Sequence, residues 1–169
     1  MGGSHRIMNV IRALAHTAAG IWLGGIIVIA IVAQTTFSEM RNSGVERPNA
    51  VAGQVMARNF GRFNVVQISC AAALLLWQGA ALAHRRQGPR DWFRISLIVL
   101  ATGLLAYHVA LLTPKIVDFQ PLLARPDAEE AIRAAFQEFH RTAVRVSQAL
   151  LVVVAAITIE MALPLARRA

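Results

Sequence analysis

Eight polar side chains interrupt runs that are otherwise apolar enough to cross a membrane: His16, Gln34, Gln67, Gln78, Thr102, His108, Gln148 and Glu160. Placing such groups in hydrocarbon costs free energy, so each is a candidate for function. Histidine titrates near neutral pH, and a deep carboxylate needs a cation or a proton. His16 with Glu160 is the most suggestive pair. If the first and last helices are neighbours, the two form an ion pair or a proton relay. If Glu160 reaches to Arg167 or Arg168 instead, that pairing fails.

His16 and His108 are also the candidate single axial ligands for haem b, a cofactor the sequence neither requires nor excludes. Two axial histidines would have to face each other at one depth. His140 precedes Arg141 and Arg145, which places it about 10–17 Å above His108. His16 belongs to the opposite leaflet. His5 and His84 belong at the surface. A metal site is not expected, because HxxxH and ExxH spacings are absent from the apolar runs. No nucleotide-binding glycine pattern occurs. Gly20, Gly24 and Gly25 in "GIWLGG" form a small-residue face suited to close helix packing.

The runs that must position these groups are Val10–Ala33, Val65–Ala83, Ile95–Leu112 and Val146–Leu163. Each is about long enough to cross ~30 Å of hydrocarbon, and backbone polar groups there must be satisfied within the segment, so each is a helix. The chain has 169 residues, 56% of them hydrophobic, with a mean hydropathy of +0.52. That composition implies one integral membrane domain over 1–169. The single cysteine, Cys70, excludes an internal disulfide. The net charge of +8 is read as basic residues flanking membrane helices, with no nucleic-acid partner. Arg6, Arg12, the loop "HRRQGPRDWFR" and Arg167-Arg168 make one side the more positive, so both termini are expected in the cytoplasm. The first run is longer than a signal-peptide core, so it is read as an uncleaved span.

Counting from flanking charges predicts two polar layers. Gln34, Gln67, His108 and Gln148 lie within about 5–10 Å of the outer boundary. His16, Gln78, Thr102 and Glu160 form a cytoplasmic layer. The simpler reading of both is interhelical hydrogen bonding at about 0.6–1.7 kcal/mol per bond, with His108 as a strut; the sharper one is a ligand or proton site. Outside the membrane, "PNAVAGQVMARNFGRF" begins the second helix early. Asp127 with Glu130 makes a capping box for the fourth. These two starts are expected to project on the outer side and to pack against each other. Pro114 and Lys115 are expected to close the third helix, with Asp118 beyond. Phe136, His140 and Arg145 open the fourth. This outer motif is read first as an interfacial anchor and second as a substrate or metal site.

"LAHTAAGIWLGGIIVIAIVAQTTF" resembles the His…Trp-x-Gly-Gly opening of a bacterial family similar to eukaryotic transmembrane protein 205. "VAGQVMARNFGRF" resembles that family's second-helix start. "LLTPKIVDFQ" and "FQEFHRTAVRVSQALLVV" resemble its Pro-basic helix-3 end and Phe-x-x-x-His helix-4 start. Ser147-Gln148 stands where that family's asparagine would be expected. The resemblance implies a four-helix membrane domain and no particular activity. "GLLAYHVALL…KIVDF" is similar to the third helix of HemJ-type protoporphyrinogen oxidases, which use a first-helix histidine and a third-helix lysine around haem. Leu97 stands where that lysine would be sought, which argues against that activity. A more distant kinship with copper-resistance D-type membrane proteins is also implied.

The expectation is an all-α membrane protein: an antiparallel four-helix bundle, N-in and C-in, with helices 2 and 4 projecting outside. It is placed in a bacterial inner membrane. Its expected role is a non-enzymatic module that self-associates or serves a larger membrane complex, binding a small ligand or lipid through its polar layers. The rivals are a haem-dependent oxidoreductase and an oligomeric proton-coupled transporter or channel.

Overall fold

The computed structural model describes the chain except for residues 1, 85–87, 124, 126–129 and 164–169; for residues 2–5 and 84 only the backbone is described. Among the described residues there is no strand. The helices are α1 (Gly2–Asn42), α2 (Pro48–His84), α3 (Pro89–Tyr107), α4 (Thr113–Leu123) and α5 (Glu130–Ala162), with a π-helical turn, His108–Leu112, joining α3 to α4. Four helical rods are therefore long and apolar enough to span a membrane: Arg6–Asn42, Pro48–Ala83, Pro89–Leu123 and Glu130–Ala162. All four exceed the ~20 residues a bilayer needs, so extra length is not confined to the second and last.

Punctuation residues set the helix ends. Gly44, at φ +68°, leaves α1 in the left-handed conformation that glycine adopts without penalty. Pro48 opens α2 and Pro89 opens α3, where a missing N–H is harmless. Gly88 caps α3, and its N–H donates to Asp91 Oδ2 at 3.0 Å. The capping box expected at Asp127 lies outside the described residues.

The third rod corrects one expectation. Thr113-Pro114-Lys115 does not end the helix, which continues to Leu123. Regular α geometry stops earlier, at Tyr107. Pro114 offers no N–H and its ring crowds the preceding turn, so the backbone widens by one residue to pass it. The Thr113 N–H donates to the His108 carbonyl five residues back. Thr113 Oγ1 donates to the same carbonyl at 3.0 Å. Helix continuation has a second consequence. α4 contacts both α2 and α5, so it carries the packing expected directly between the starts of those two helices.

One core runs along the rods. Ala15, Ala18, Ala19, Trp22 and Ile26 of α1 meet Cys70, Ala71, Leu74 and Trp77 of α2; Ile98, Ala101 and Leu105 of α3 and Leu150, Val154, Ile157 and Met161 of α5 complete it. These positions recur at three and four residues, the spacing of a single helix face. α1 packs most extensively on α2. A Cβ on Gly25 would stand 2.5 Å from the Phe63 ring, so glycine permits that approach. Gly20 and Gly24 face open space instead. Ile21, Val28, Ile31, Leu76, Val99 and Val152 point outward. Apolar surface of that extent is stable against lipid and not against water.

At the centre, Trp22 is fully buried and its Nε1–H donates to Gln67 Oε1 at 3.1 Å. Gln67 Nε2 donates in turn to Asn64 Oδ1 at 3.3 Å. Gln67→Leu is expected to cost about 1–3 kcal/mol by stranding the indole N–H. Adding Trp22→Phe should recover part of that loss in a thermal melt of detergent-solubilised protein. No recovery would show that the hydrogen bond is not the cause.

Candidate functional site

The α3 start is written so that a guanidinium enters the bundle. Arg94 shares a face with Ile98, Ala101 and Leu105, all buried, at spacings of 4, 7 and 11 residues. Its side chain is 12% exposed. Four groups hold it. Nε donates to Gln78 Oε1 at 3.1 Å. Nη2 donates to Asp91 Oδ1 within the same helix. Nη1 lies 3.5 Å from Glu160 Oε2. The guanidinium carbon lies 4.7 Å from the Trp77 ring centroid, a cation–π contact.

Arg90, one turn earlier, closes the end of α5. Its Nε donates to Glu160 Oε1 at 2.7 Å. Its Nη2 donates to the Glu160 carbonyl at 2.8 Å and the Leu163 carbonyl at 3.3 Å. A helix C-terminus leaves carbonyls unpaired and carries partial negative charge, and a guanidinium satisfies both. Glu160 is thus clamped between two arginines with 7% of its side chain exposed.

The clamp borders a cavity of about 80 Å³ between α1, α2, α3 and α5. Met8, Asn9, Arg12 and His16 line it from α1, Trp77 and Ala81 from α2, Arg90, Asp91 and Arg94 from α3, and Glu160 and Met161 from the end of α5, with Leu163 just beyond it. Its volume exceeds the ~10–15 Å³ that a single water needs, so the cavity has room for a few waters. Two buried polar atoms here lack a hydrogen bond, Gln78 Nε2 and Glu160 Oε2.

Of the eight intramembrane polar residues, three converge here: His16 and Glu160 line the cavity, and Gln78 supports Arg94. Thr102 does not join them; its hydroxyl donates to the Ile98 carbonyl of its own helix at 2.8 Å. Glu160 meets Arg90 and Arg94, while Arg167 and Arg168 lie outside the described residues. The other four are not brought together. Gln67 is buried against Trp22, Gln34 and Gln148 are exposed, and His108 Nδ1 is 3.5 Å from Thr113 Oγ1. Equal depth aligned them in sequence, but the helix rotations turn two of them outward.

The Pro114–Arg145 motif yields an aromatic cluster. Lys115 Nζ lies 4.6 Å from the Phe139 ring centroid. Phe136 stacks on His140 at 5.6 Å. Phe119 lies 6.3 Å from Phe136 and 5.8 Å from Phe139. Pro114, Asp118 and Arg145 are exposed.

Arg90, Asp91, Arg94, Arg12, Asn9 and Trp77 were not singled out as site residues from the sequence. Arg90 and Arg94 read there as topology-setting loop charges. The available signal was the register of Arg94 with the apolar stripe of α3. Haem does not fit this cavity, because the macrocycle is far larger than its volume of about 80 Å³. Among the described residues no three His, Cys, Asp or Glu side chains cluster as metal ligands.

Removing one partner of a buried ion pair strands the other charge. Arg94→Ala is therefore expected to lower stability by about 3 kcal/mol or more. Arg90, with 38% of its side chain exposed, should lose about 1 kcal/mol on replacement by alanine. Thermal or denaturant unfolding in detergent would rank the two. Equal losses would remove Arg94 from its central place.

No curated protein and no solved structure matches the chain. The likenesses to transmembrane protein 205, HemJ-type and copper-resistance D-type proteins gain no support from these comparisons. Residues 17–125 match the family described as Domain of unknown function (DUF4149). The matched segment contains Trp77, Gln78, Arg90, Asp91 and Arg94, and leaves His16 and Glu160 outside it. Since the match spans more than half of the sequence, the chain belongs to the DUF4149 family.

Proposed function

We propose that this protein is a small multi-pass module of a bacterial inner membrane that holds a small polar ligand in the Arg94-centred cavity. It acts by binding, as a self-associating unit or as a subunit of a larger membrane complex. Both termini lie in the cytoplasm in this reading, the bundle is antiparallel, and the cavity opens at the cytoplasmic end. The excess of arginine at that end supports the orientation.

The observation that carries the reading is a cavity lined with charged and polar groups, Arg12, His16, Arg90, Asp91, Arg94 and Glu160, at one end of an otherwise apolar bundle. Polar groups that border a cavity are met by ordered water or by a polar ligand. The cavity lining contains no Ser, Thr, Cys or Lys nucleophile. Both of its carboxylates are engaged by arginine. Binding is what such an arrangement does best.

Ala81 faces the cavity and carries no charge. Ala81→Leu is expected to fill the space and expel a co-purifying small molecule or lipid, as read by native mass spectrometry after mild detergent extraction. The ion pairs would remain. Unchanged co-purification would count against the site.

A second reading is proton transfer through His16 and Glu160, favoured by their lining the same cavity. It predicts that Glu160→Gln abolishes proton flux in proteoliposomes. Unaltered flux would end that reading.

A further inference from the structure

Two arginines of α2 stand beside a stretch of α1 that carries no charge. Trp22 of α1 donates to Gln67 of α2, and Gly25 faces the Phe63 ring. Three residues onward on α1 thus correspond to four residues back on α2. In that register Arg62 is level with Ile26, and Arg58 with Ala30. The next ionisable residue of α1 is Glu39, roughly 20 Å beyond Ile26. Between them Ile27, Val28 and Ile31 are exposed, as a lipid-facing helix requires. Arg58 and Arg62 therefore sit at a height where the neighbouring helix is built for hydrocarbon.

Both arginines are exposed. Helical spacing aligns them with Val65, Ser69, Ala72 and Leu76, the stripe opposite buried Gln67, Ala71 and Leu74. Val65 is 64% exposed and Leu76 74%. Ser69 Oγ donates to the Val65 carbonyl at 2.9 Å, so its hydroxyl makes no demand on the surroundings. Nothing neutralises the pair. Arg58 and Arg62 enter no ion pair among the described residues, and α2 contains no acidic residue. Asp118 of α4 does not serve. Gln120 is the α4 residue that meets α2, at Gly53, and Asp118, two residues earlier, points to nearly the opposite side.

At a lipid-facing helix surface the available anion is a lipid phosphate. Guanidiniums one helical turn apart can share one phosphate through directed N–H donors. The apolar stripe beside them takes acyl chains. With no carboxylate next to the pair, the cationic group of a zwitterionic headgroup finds no partner and is repelled. We propose that Arg58 and Arg62 hold the phosphate of an anionic phospholipid whose chains lie along Val65 to Leu76. Headgroups are thereby drawn farther into the bilayer at α2 than at α1. The site is separate from the Arg94-centred cavity and lies toward the other end of the bundle, in the outer leaflet of the orientation proposed above.

The test is local, because other arginines also meet headgroups. The full chain with Cys70→Ala carries a bimane label on Val65→Cys and is reconstituted in phosphatidylcholine vesicles. Brominated phosphatidylglycerol, phosphatidic acid or phosphatidylcholine is added in small proportion, and quenching gives the relative affinity of each for that face. Both anionic lipids are expected to associate roughly tenfold or more tightly than phosphatidylcholine. Arg58→Gln together with Arg62→Gln should bring that ratio close to one at an unchanged melting temperature. A label on Val28→Cys, on α1 at the height of the pair, should show no preference. Equal quenching by all three lipids at Val65, a preference that survives the double substitution, or the same preference at Val28 would overturn the site. Inorganic phosphate, exchanged for chloride at constant ionic strength, should leave the preference intact. Its loss would assign the pair to a soluble anion and overturn the lipid.

Discussion

A carboxylate with 7% of its side chain exposed, near the end of an apolar helix, must be neutralised, and the Glu160 clamp shows what that requires. Desolvating an ion costs several kcal/mol, so a lone glutamate there would take up a proton or draw the helix end outward. Arg90 and Arg94 remove that choice. They come from the first turns of α3, so the clamp ties the start of one rod to the end of another. Arg94 in turn needs Gln78 and Trp77 of α2 to complete its own shell. One buried charge thereby sets the relative positions of three helices at one end of the bundle.

The clamp is incomplete in a useful way. A bidentate carboxylate–guanidinium pair would satisfy both oxygens of Glu160. Here Arg90 takes Oε1 and the carbonyls at the α5 end, while Arg94 divides its donors among Asp91, Gln78 and a long contact to Oε2. A cavity borders the same residues. Farther along the rods the interior is different in kind. Ala15, Ala18 and Ala19 permit close approach, Trp22 fills the centre, and Gln67 satisfies its single polar atom. Polar chemistry is concentrated where the helices can splay around space, and tight packing holds elsewhere.

The π turn at His108–Leu112 illustrates how a local conflict is absorbed. A proline inside a helix would ordinarily end or kink the rod; with one residue of extra width ahead of Pro114, the helix carries on to Leu123. That continuation places Phe119 against Phe136 and Phe139 and lets α4 bridge α2 and α5. His108 becomes part of the accommodation, its carbonyl taking both the amide and the hydroxyl of Thr113.

The four apolar rods, the start of α2 at Pro48 and the long last helix were legible in the sequence, because hydropathy and helix-breaking residues act over neighbours in the chain. Glu160 stood out there as well, since burying a carboxylate is costly whatever surrounds it. Which cation answers it was not legible. Arg90 and Arg94 lie 70 and 66 residues away, and only helix contact brings them to it. The rotations that turn Gln34 and Gln148 outward while keeping Gln67 inside were likewise set by packing around Trp22 and the small residues of α1. The sequence by itself determined where apolar helices form, because that depends on local composition and backbone satisfaction. Only the tertiary structure decided which polar groups meet, because depth along a helix says nothing about the direction in which a side chain points.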